Sequence, residues 1–428
     1  MTAPSPTPAF KPQAILKHRP FRTLWLAQFV SIFGDFLALF GVISLITFRM
    51  HGTAVQVTAV TIAYILPLAL ISPVAGVFVD HWNVKRLMIA SDLIRAGLIL
   101  LLVFVRDVTQ ICVIFAALST VSSFFAPAQS VTIRTIVPQE RLLAANAMLT
   151  QAFYVVRLFS PFAAGALIGW LGEKVCFYLD TASFVFSAGM ISTLTIMRPR
   201  AQAEKTLESL SRDFVEGNRF IFTHAGLAFV FLAMSVAMFV LSAFSPLISI
   251  YIRDSLHAGP FLFGAISSMV GIGLIAGAQV LARVHTPSSR TQVVLGGMFA
   301  LGVGAALLGA FHNTPMAALS TFTMGFAISF VLIPAQTLSQ QETPPALMGR
   351  VSSTFMSLIA VAQVLGLLLS GYLAQRLGIR ALFLSCAGVL AVASAAGYVW
   401  TRGRREAGEG VGRAGADAEV TVRSPAGG

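Results

Sequence analysis

Twelve long apolar runs divide this chain, and each is long enough, or nearly long enough, to cross a lipid bilayer as a helix. A spanning helix needs about 17–25 apolar residues, whereas a spanning strand needs only about 10. Because backbone hydrogen bonds in hydrocarbon must be satisfied internally, uninterrupted runs of this length predict helices. The chain is therefore expected to be an all-α membrane protein with twelve transmembrane helices. The runs cover residues 22–48, 54–79, 86–105, 110–133, 142–171, 175–197, 226–251, 260–282, 291–311, 315–339, 351–377 and 379–400.

The composition agrees with this class. Charged residues make up 11% of the chain and hydrophobic residues 56%. A soluble domain carries about 25% charged residues, so this chain has too little polar surface to cover a water-soluble globule. The three cysteines, Cys112, Cys176 and Cys386, lie within or beside apolar runs. Neither a disulfide framework nor a metal site is predicted from them.

The net charge of +12 reflects membrane topology. If the N-terminus is cytoplasmic, most of the 29 Lys and Arg residues fall on the inner side of the membrane. This bias is the positive-inside rule, and it predicts a multi-pass protein of a bacterial-type inner membrane with both termini in the cytoplasm. No nucleic-acid partner is predicted. The basic residues of the outer loops are Arg49, Arg106, Lys174, Arg253, Arg376 and Arg380.

The longest polar stretch follows the sixth run and divides the chain into two halves of six runs. Residues 22–197 are predicted to form a first six-helix bundle and residues 226–401 a second. Between them, residues 198–225 form a cytoplasmic linker whose apolar spacing predicts an amphipathic helix on the inner membrane face. The ends, 1–21 and 402–428, are expected to be disordered cytoplasmic segments.

Two short matches relate the halves at nearly one offset. Pro127-Ala128-Gln129 in the fourth run recurs as Pro334-Ala335-Gln336 in the tenth, 207 residues later. Leu171-Gly172 recurs as Leu377-Gly378, 206 residues later. A duplicated six-helix unit predicts two pseudo-symmetric bundles that can rock about a site between them.

Asp35 interrupts the first run near its middle, about 20 Å of helix rise beyond Arg22. A carboxylate inside the hydrocarbon core costs several kcal/mol unless it is protonated, paired or facing water. Asp35 is therefore expected to be a proton site. Arg157 lies at a similar depth in the fifth run and is a candidate partner. A permanent pair would make Asp35 structural, whereas a pair that breaks on protonation would be a switch, and the sequence leaves both alternatives open.

The other charges inside the runs have simpler interpretations. Asp92 and Arg95 are three residues apart on one helix face, which predicts a local ion pair. Asp180 lies near the outer end of the sixth run and is expected to have an interfacial role. No acid lies inside a run of the second half. Candidate residues of the substrate cavity are Phe36, Phe40, Phe124, Phe125, Gln336 and Gln363.

A group of small and charged residues lies between the second and third runs. Gly76 would let two helix backbones approach closely. Asp80 could accept hydrogen bonds from the amides at a helix N-terminus. It could instead pair with a cytoplasmic arginine, Arg134 or Arg141. The basic pair Lys85-Arg86 follows Asp80.

This pattern resembles the signature of the major facilitator superfamily, with His81 and Asn83 where the family usually has Arg and Gly. The resemblance covers the twelve-run chain and implies the major facilitator fold and a transport function. It also implies that these residues form a latch that joins the halves on the cytoplasmic side. The latch residues are Gly76, Asp80, Lys85, Arg86, Arg134 and Arg141. The alternative is that these charges only set topology.

The loop after the fourth run extends the resemblance. Residues 137–142 and 145–147, together with Arg157, are similar to the macrolide-efflux and enterobactin-exporter branch of the superfamily. This resemblance implies a proton-driven antiporter that exports small amphipathic compounds of the drug or siderophore type by alternating access. Its partners would be substrate, proton and lipid bilayer, with no cofactor, and a monomer would suffice because one chain holds both halves.

Two other functions are weighed against export. A lipid flippase or uniporter would keep the same fold, with Asp35 as a structural residue. A membrane-embedded transferase is the remote alternative, and it would need acids or histidines in clusters. The seven histidines of this chain occur singly, and its acids are scattered. The chain is therefore expected not to be an enzyme.

Overall fold

The computed structural model describes residues 12–79, 82–196, 207–283, 290–344 and 347–399, and within these ranges the regular structure is helical, without strands. Twelve helices of the described ranges are long and apolar enough to cross a membrane, which confirms the predicted all-α class. The helices are α1 (Arg19–Ser44), α2 (Ala54–Val79), α3 (Val84–Leu101), α4 (Val108–Ile136), α5 (Leu142–Leu171), α6 (Lys174–Ser192), α7 (Leu207–Thr223), α8 (Ala225–Asp254), α9 (Pro260–Arg283), α10 (Arg290–Ala310), α11 (Thr314–Glu342), α12 (Met348–Leu377) and α13 (Ile379–Val399).

Polar side chains mark where two equivalent helices begin. Asp107 accepts a hydrogen bond from the backbone N–H of Thr109 at the start of α4, and Asn313 accepts one from Met316 at the start of α11. These bonds satisfy amides that the first turn of a helix leaves free. Hydrogen bonding from Thr109 also lowers the pKa of the exposed Asp107 carboxyl below its usual value.

The backbone repeats its unusual conformations at one offset. His51 and His257, 206 residues apart, have φ angles of 50° and 51° in the loops after α1 and α8. Gly172 and Gly378, also 206 residues apart, end α5 and α12 with φ angles of 80° and 84°. Such angles favour glycine and are uncommon in other residues. The shared offset, with prolines inside α4 and α11, supports the predicted pseudo-symmetry.

Helices α1 to α6 pack together as one bundle. Helix α1 packs on α5 and α6, α3 packs on α4 and α6, and α2 packs on α4. In the second bundle α11 packs on α9 and α10, and α8 packs on α12. Helix α13 lies against α8 and α10, where the rings of Phe244 and Phe383 stack and Ser394 donates a hydrogen bond to the Leu295 carbonyl.

The two bundles meet along two helix pairs, α5 with α9 and α2 with α12. At the first contact the backbones approach very closely, because a Cβ placed at Gly165 would lie 2.8 Å from the Cα of Gly264. At the second, a Cβ at Gly371 would overlap the hydroxyl of Thr58. Small residues permit this close packing between membrane helices.

The bundles have two chemically different ends. The end that holds the α2–α3 and α4–α5 loops and α7 is termed the basic end. The other end, which holds the α1–α2, α5–α6 and α8–α9 loops, is termed the opposite end. Helix α7 confirms the amphipathic helix predicted in the linker, although residues 197–206 lie outside the described ranges. Its Gly217 packs on the start of α12, and Glu216 pairs with Arg350 of α12 at 2.6 Å.

The prediction for the N-terminal segment was wrong in part. Residues Pro12–Lys17 form a 3-10 helix, and α1 begins at Arg19. Ile15 is fully buried and belongs to an apolar cluster with Phe21 and Leu24. The burial of this side chain stabilises a segment that its proline-rich composition suggested would be disordered. Residues 1–11 and the predicted disordered tail, 402–428, lie outside the described ranges.

Candidate functional site

Polar contacts join the two bundles at the opposite end, the end away from the basic loops. The buried hydroxyls of Thr47, just after α1, and Ser249, in α8, hydrogen bond at 2.9 Å. Arg253 of α8 donates from Nη1 to the carbonyl oxygens of Thr47 and Gly52 in the first bundle, at 2.7 and 2.9 Å. The Arg253 guanidinium is held by two further bonds to Asp254.

An aromatic contact lies beneath these polar groups. The ring of Phe263, on α9, is 5.2 Å from the ring of Phe40 and 6.3 Å from the ring of Phe48, both of the first bundle. Phe263 is buried. Together with the Gly165–Gly264 approach, these side chains close the space between the bundles at the opposite end.

The half of α5 nearer the basic end is less tightly packed against the second bundle than the half at Gly165. Phe153 lies against Phe36 of α1, with ring centroids 5.9 Å apart. The Leu158 side chain lies against Gly271 of α9. Phe159 is 59% exposed and is turned about 200° from Arg157, so it marks the lipid-facing side of the helix.

Arg157 lies on the face of α5 between Phe153, which contacts α1, and Leu158, which contacts α9. Its side chain is exposed, although the residue lies in the middle of a membrane-crossing helix. No ion pair of the described residues involves it. An exposed side chain on this face requires accessible space between the bundles, and the contacts at the opposite end close that space on one side. This accessible space is termed the central cavity.

A buried charge cluster lies inside the first bundle. Asp92 and Arg95 of α3 form an ion pair, as the sequence predicted, and their side chains are 0% and 5% exposed. The rings of Phe125 and Phe184 enclose the Arg95 guanidinium at 4.4 and 4.3 Å. Such cation–π contacts offset part of the cost of burying a guanidinium.

Asp180 belongs to the same cluster, and the interfacial position expected for it was wrong. The residue is fully buried, and one carboxylate oxygen accepts a hydrogen bond from Ser183 at 3.1 Å. The other oxygen is buried and has no partner among the described residues. A Cβ at Gly34 of α1 would overlap the Asp180 carboxylate. Gly34 thus gives α6 the room to bring this acid against α1.

Asp35, the next residue of α1, is half-buried. It interacts electrostatically with Arg95, Asp92 and Asp180. Tyr64 of α2 interacts with the same acid. Three neighbouring helices, α2, α3 and α6, therefore contribute groups that interact electrostatically with Asp35.

The structure does not pair Asp35 with Arg157. No ion pair within the described ranges joins these two residues. The charged groups that interact with Asp35 lie on α3 and α6, whereas Arg157 faces the central cavity. Their similar depth made a pair plausible from the sequence, but depth does not specify the direction in which a side chain points.

The proposed latch residues are only partly described, because Asp80 lies outside the described ranges. A Cβ at Gly76 would meet no atom within 4 Å, so the close helix approach expected there is not present in this conformation. Asn83 accepts a hydrogen bond from the backbone N–H of Arg86 and caps α3. The side chains of Lys85, Arg86, Arg134 and Arg141 are partly or fully exposed.

The candidate cavity residues separate into distinct environments. Phe36 lies beside the cavity against Phe153, whereas Phe40 belongs to the closed opposite end. Phe124 stacks on Trp82 near the basic end, with ring centroids 5.9 Å apart. Phe125 was assigned wrongly, because it is 6% exposed and covers Arg95 within the bundle. The side chains of Gln336 and Gln363 are partly exposed.

Sequence analysis missed the roles of Arg253 and Asp180. Arg253 was counted only as an outer-loop charge, and its sequence context carries no signal for a contact with Thr47. A weak signal existed for Asp180, since Gly34 precedes a membrane-embedded acid and small residues mark close helix contacts.

The family model described as "Major Facilitator Superfamily" matches residues 24–360 and 230–425. Macrolide efflux protein A of Streptococcus pyogenes is 23% identical over 374 residues, covering 85% of this chain and 91% of that protein. The lysophospholipid transporter LplT of Yersinia enterocolitica is 26% identical over 330 residues, covering 74% of this chain and 77% of that protein.

Solved structures support the same fold. The crystal structure of the nucleoside transporter NupG superposes with a TM-score of 0.72 at 15% sequence identity. The superposition covers 89% of this chain and 98% of that one. At this identity the similarity shows the fold and carries no information on substrate.

Proposed function

Because the chain belongs to the Major Facilitator Superfamily, we propose that this transporter is a proton-coupled exporter of small amphipathic compounds. The observation that carries the proposal is the half-buried Asp35, which lies inside the first bundle beside two further acids. A carboxyl in this position can take up a proton when one side of the membrane is open and release it when the other side is open. Its titration would couple proton entry to substrate exit.

The central cavity is the substrate site of the proposed mechanism. The ring of Phe153 contacts the rings of Phe36 and Tyr154, and Phe153 and Tyr154 lie one helical turn from Arg157 on α5. Apolar walls with a few polar groups are typical of sites for amphipathic ligands. In the conformation described, substrate enters from the basic end, which we place in the cytoplasm with both termini.

Alternating access requires the basic end to close when the opposite end opens. We assign this closure to the latch cluster of Gly76, Asp80, Lys85-Arg86, Arg134 and Arg141. Exposed basic side chains and the open space around Gly76 support the assignment, because they leave room for the second bundle to approach. The bundles, 22–197 and 226–401, would move as units, and a monomer would suffice.

A lipid flippase is the second candidate. The relative described as a lysophospholipid transporter favours it, as does the exposed arginine in the middle of α5. In that mechanism Arg157 would bind a lipid phosphate and Asp35 would be structural. The scattered acids and single histidines of the sequence argue against an enzymatic function.

The test is a resistance profile in an efflux-deficient bacterium that expresses wild type or Asp35→Asn at matched levels. Growth inhibition is measured with macrolides, cationic dyes, fluoroquinolones and catechol siderophores. The proposal predicts resistance to at least one class with wild type and its loss with Asp35→Asn. Equal resistance with both would remove Asp35 from the coupling mechanism, and protection by neither would favour the lipid alternative.

A further inference from the structure

Asp180 is a second acid buried against α1 in the first bundle. It is fully buried on α6, and its carboxyl fits against α1 only because residue 34 is glycine. Any larger residue at that position would displace the carboxyl from the neighbourhood of Asp35. The sequence therefore keeps a second acid next to the acid that the export proposal uses.

The hydrogen bonds of Asp180 are incomplete. Ser183 donates to one carboxylate oxygen at 3.1 Å and also to the backbone carbonyl of residue 180 at 2.8 Å. The second oxygen is buried without a partner among the residues that the structure describes. A buried ionised carboxylate with an unsatisfied oxygen is strongly disfavoured, whereas a protonated one carries less charge to solvate.

The charges around the pair do not balance. Three helices contribute carboxyls, Asp35 from α1, Asp92 from α3 and Asp180 from α6, against the single guanidinium of Arg95. Arg95 is already paired with Asp92. Helix α2 adds the neutral phenol of Tyr64, and α4 adds the ring of Phe125. Within the described ranges, the cation that acts on both Asp35 and Asp180 is therefore Arg95, which Asp92 already pairs.

We propose that Asp180 is the second carboxyl of the proton site, so that Asp35 and Asp180 together hold and release one coupling proton. Like charges in a poorly solvated site cannot both ionise, so the first ionisation raises the cost of the second. Asp35, which is half-buried, exchanges the proton with water, and Asp180 keeps the pair from ionising fully near neutral pH. The proposal deepens the proton-coupled export proposed above and rests on it.

A metal ion is the alternative occupant of such a cluster. No group of three or more His, Cys, Asp or Glu side chains in the described part of the chain is arranged to hold a metal ion. The guanidinium of Arg95 would also repel a cation. These two facts favour a proton over sodium.

The test uses purified full-length protein in detergent and needs no substrate. Dicyclohexylcarbodiimide reacts with protonated carboxyls in apolar surroundings, and mass spectrometry locates the label. Labelling is measured between pH 5 and 9 in wild type, Asp180→Asn and Asp180→Glu. Asp107→Asn, which removes an exposed acid from the loop before α4, is the matched control.

The proposal predicts one label per wild-type molecule at pH 7, on Asp35 or Asp180. In Asp180→Asn the pH at which labelling is half lost should fall by about one unit or more. Loss of the last proton from the wild-type pair leaves two like charges in one site, whereas its loss from Asp35 alone leaves one. Asp180→Glu and Asp107→Asn should keep the wild-type midpoint. Two labels per wild-type molecule, or an unchanged midpoint in Asp180→Asn, would overturn the proposal.

Sodium is tested in the same preparation. Protection from labelling by sodium chloride, but not by choline chloride, would assign the site to sodium and overturn the proton assignment. The labelling does not depend on transport, so a resistance profile that contradicts export would leave the labelling result unchanged. Conversely, an unshifted midpoint would remove Asp180 from the proton site whatever the resistance profile shows.

Discussion

The hydroxyls of Thr47 and Ser249 lie 2.9 Å apart and belong to different bundles. Both residues are fully buried, so this hydrogen bond is part of the closed opposite end. If the bundles rock during transport, this distance must increase in each cycle. The contact therefore provides a direct way to stop the motion.

A cross-link at this contact should arrest transport. In the double variant Thr47→Cys/Ser249→Cys, the side chains are close enough to form a disulfide. Oxidation should abolish efflux of the resisted compounds, and a reducing agent should restore it. Each single variant is the control and should respond to neither treatment. Undiminished efflux by the oxidised double variant, with the disulfide verified by mass spectrometry, would show that the opposite end does not open.

Removing the Arg253 side chain should favour opening at the opposite end. Arg253→Gln loses two hydrogen bonds from a charged donor to the backbone of the first bundle. Bonds of this kind contribute about 1.5–3 kcal/mol each, so the population open at the opposite end should rise at least about tenfold. The measurement is the rate at which a water-soluble thiol reagent modifies Ser249→Cys.

Arg380→Gln is the matched control for this experiment. Arg380 also lies at the opposite end and donates to the backbone carbonyls of Gly309 and Ala310, but these belong to its own bundle. Its loss should leave the modification rate unchanged. Equal rates in both variants would mean that the cross-bundle bonds of Arg253 do not hold the end closed.

The close approach of α5 and α9 should be intolerant of a single methyl group. A Cβ at Gly165 would lie 3.0 Å from the carbonyl oxygen of Pro260 as well as close to Gly264, so Gly165→Ala forces the bundles apart. Overpacking of this kind costs about 1–3 kcal/mol. Thermal unfolding in detergent should occur at a lower temperature, and transport should fall.

Gly169→Ala on the same helix is the comparison, because its Cβ would meet Phe261 at an ordinary 3.6 Å. This variant should retain both stability and transport. If Gly165→Ala were equally benign, the backbone contact between the bundles would not be required for closure.

Arg157 should select substrates by charge. Its exposed side chain lies on the face of α5 between α1 and α9, so Arg157→Gln should weaken export of an anionic amphiphile more than that of a cation. With 8-anilinonaphthalene-1-sulfonate and ethidium as probes, we expect about a tenfold larger loss for the anion, equivalent to about 1.4 kcal/mol. Arg157→Lys retains the charge and should retain most of the anion export. Parallel losses for both probes would assign Arg157 a structural role.

Features that depend on local pattern could be predicted from the sequence. The twelve spans, the amphipathic linker helix and the Asp92–Arg95 pair all follow from residue spacing along one helix. The two-fold repeat was visible in Leu171-Gly172 and Leu377-Gly378, and the structure adds the physical reason, since both glycines end helices with positive φ.

Features that depend on how helices are rotated against one another could not be predicted. Asp180 was expected at the interface because only its position along the run was known, and its burial follows from the α1–α6 contact at Gly34. Similarly, Asp35 and Arg157 share a depth but point in different directions. Phe125 is buried over Arg95 because α3 and α4 pack together, a relation that the aromatic composition alone does not reveal.

Proton-coupled export is tested most directly by measuring whether substrate drives proton movement across a membrane. Purified protein is reconstituted in liposomes that contain a pH-sensitive dye, a pH gradient is imposed, and compounds of the resistance panel are added one at a time. At least one compound should speed the collapse of the gradient with wild type and have no such effect with Asp35→Asn. Transport that continues at the same rate when the pH gradient is absent, or with Asp35→Asn, would contradict proton-coupled exchange.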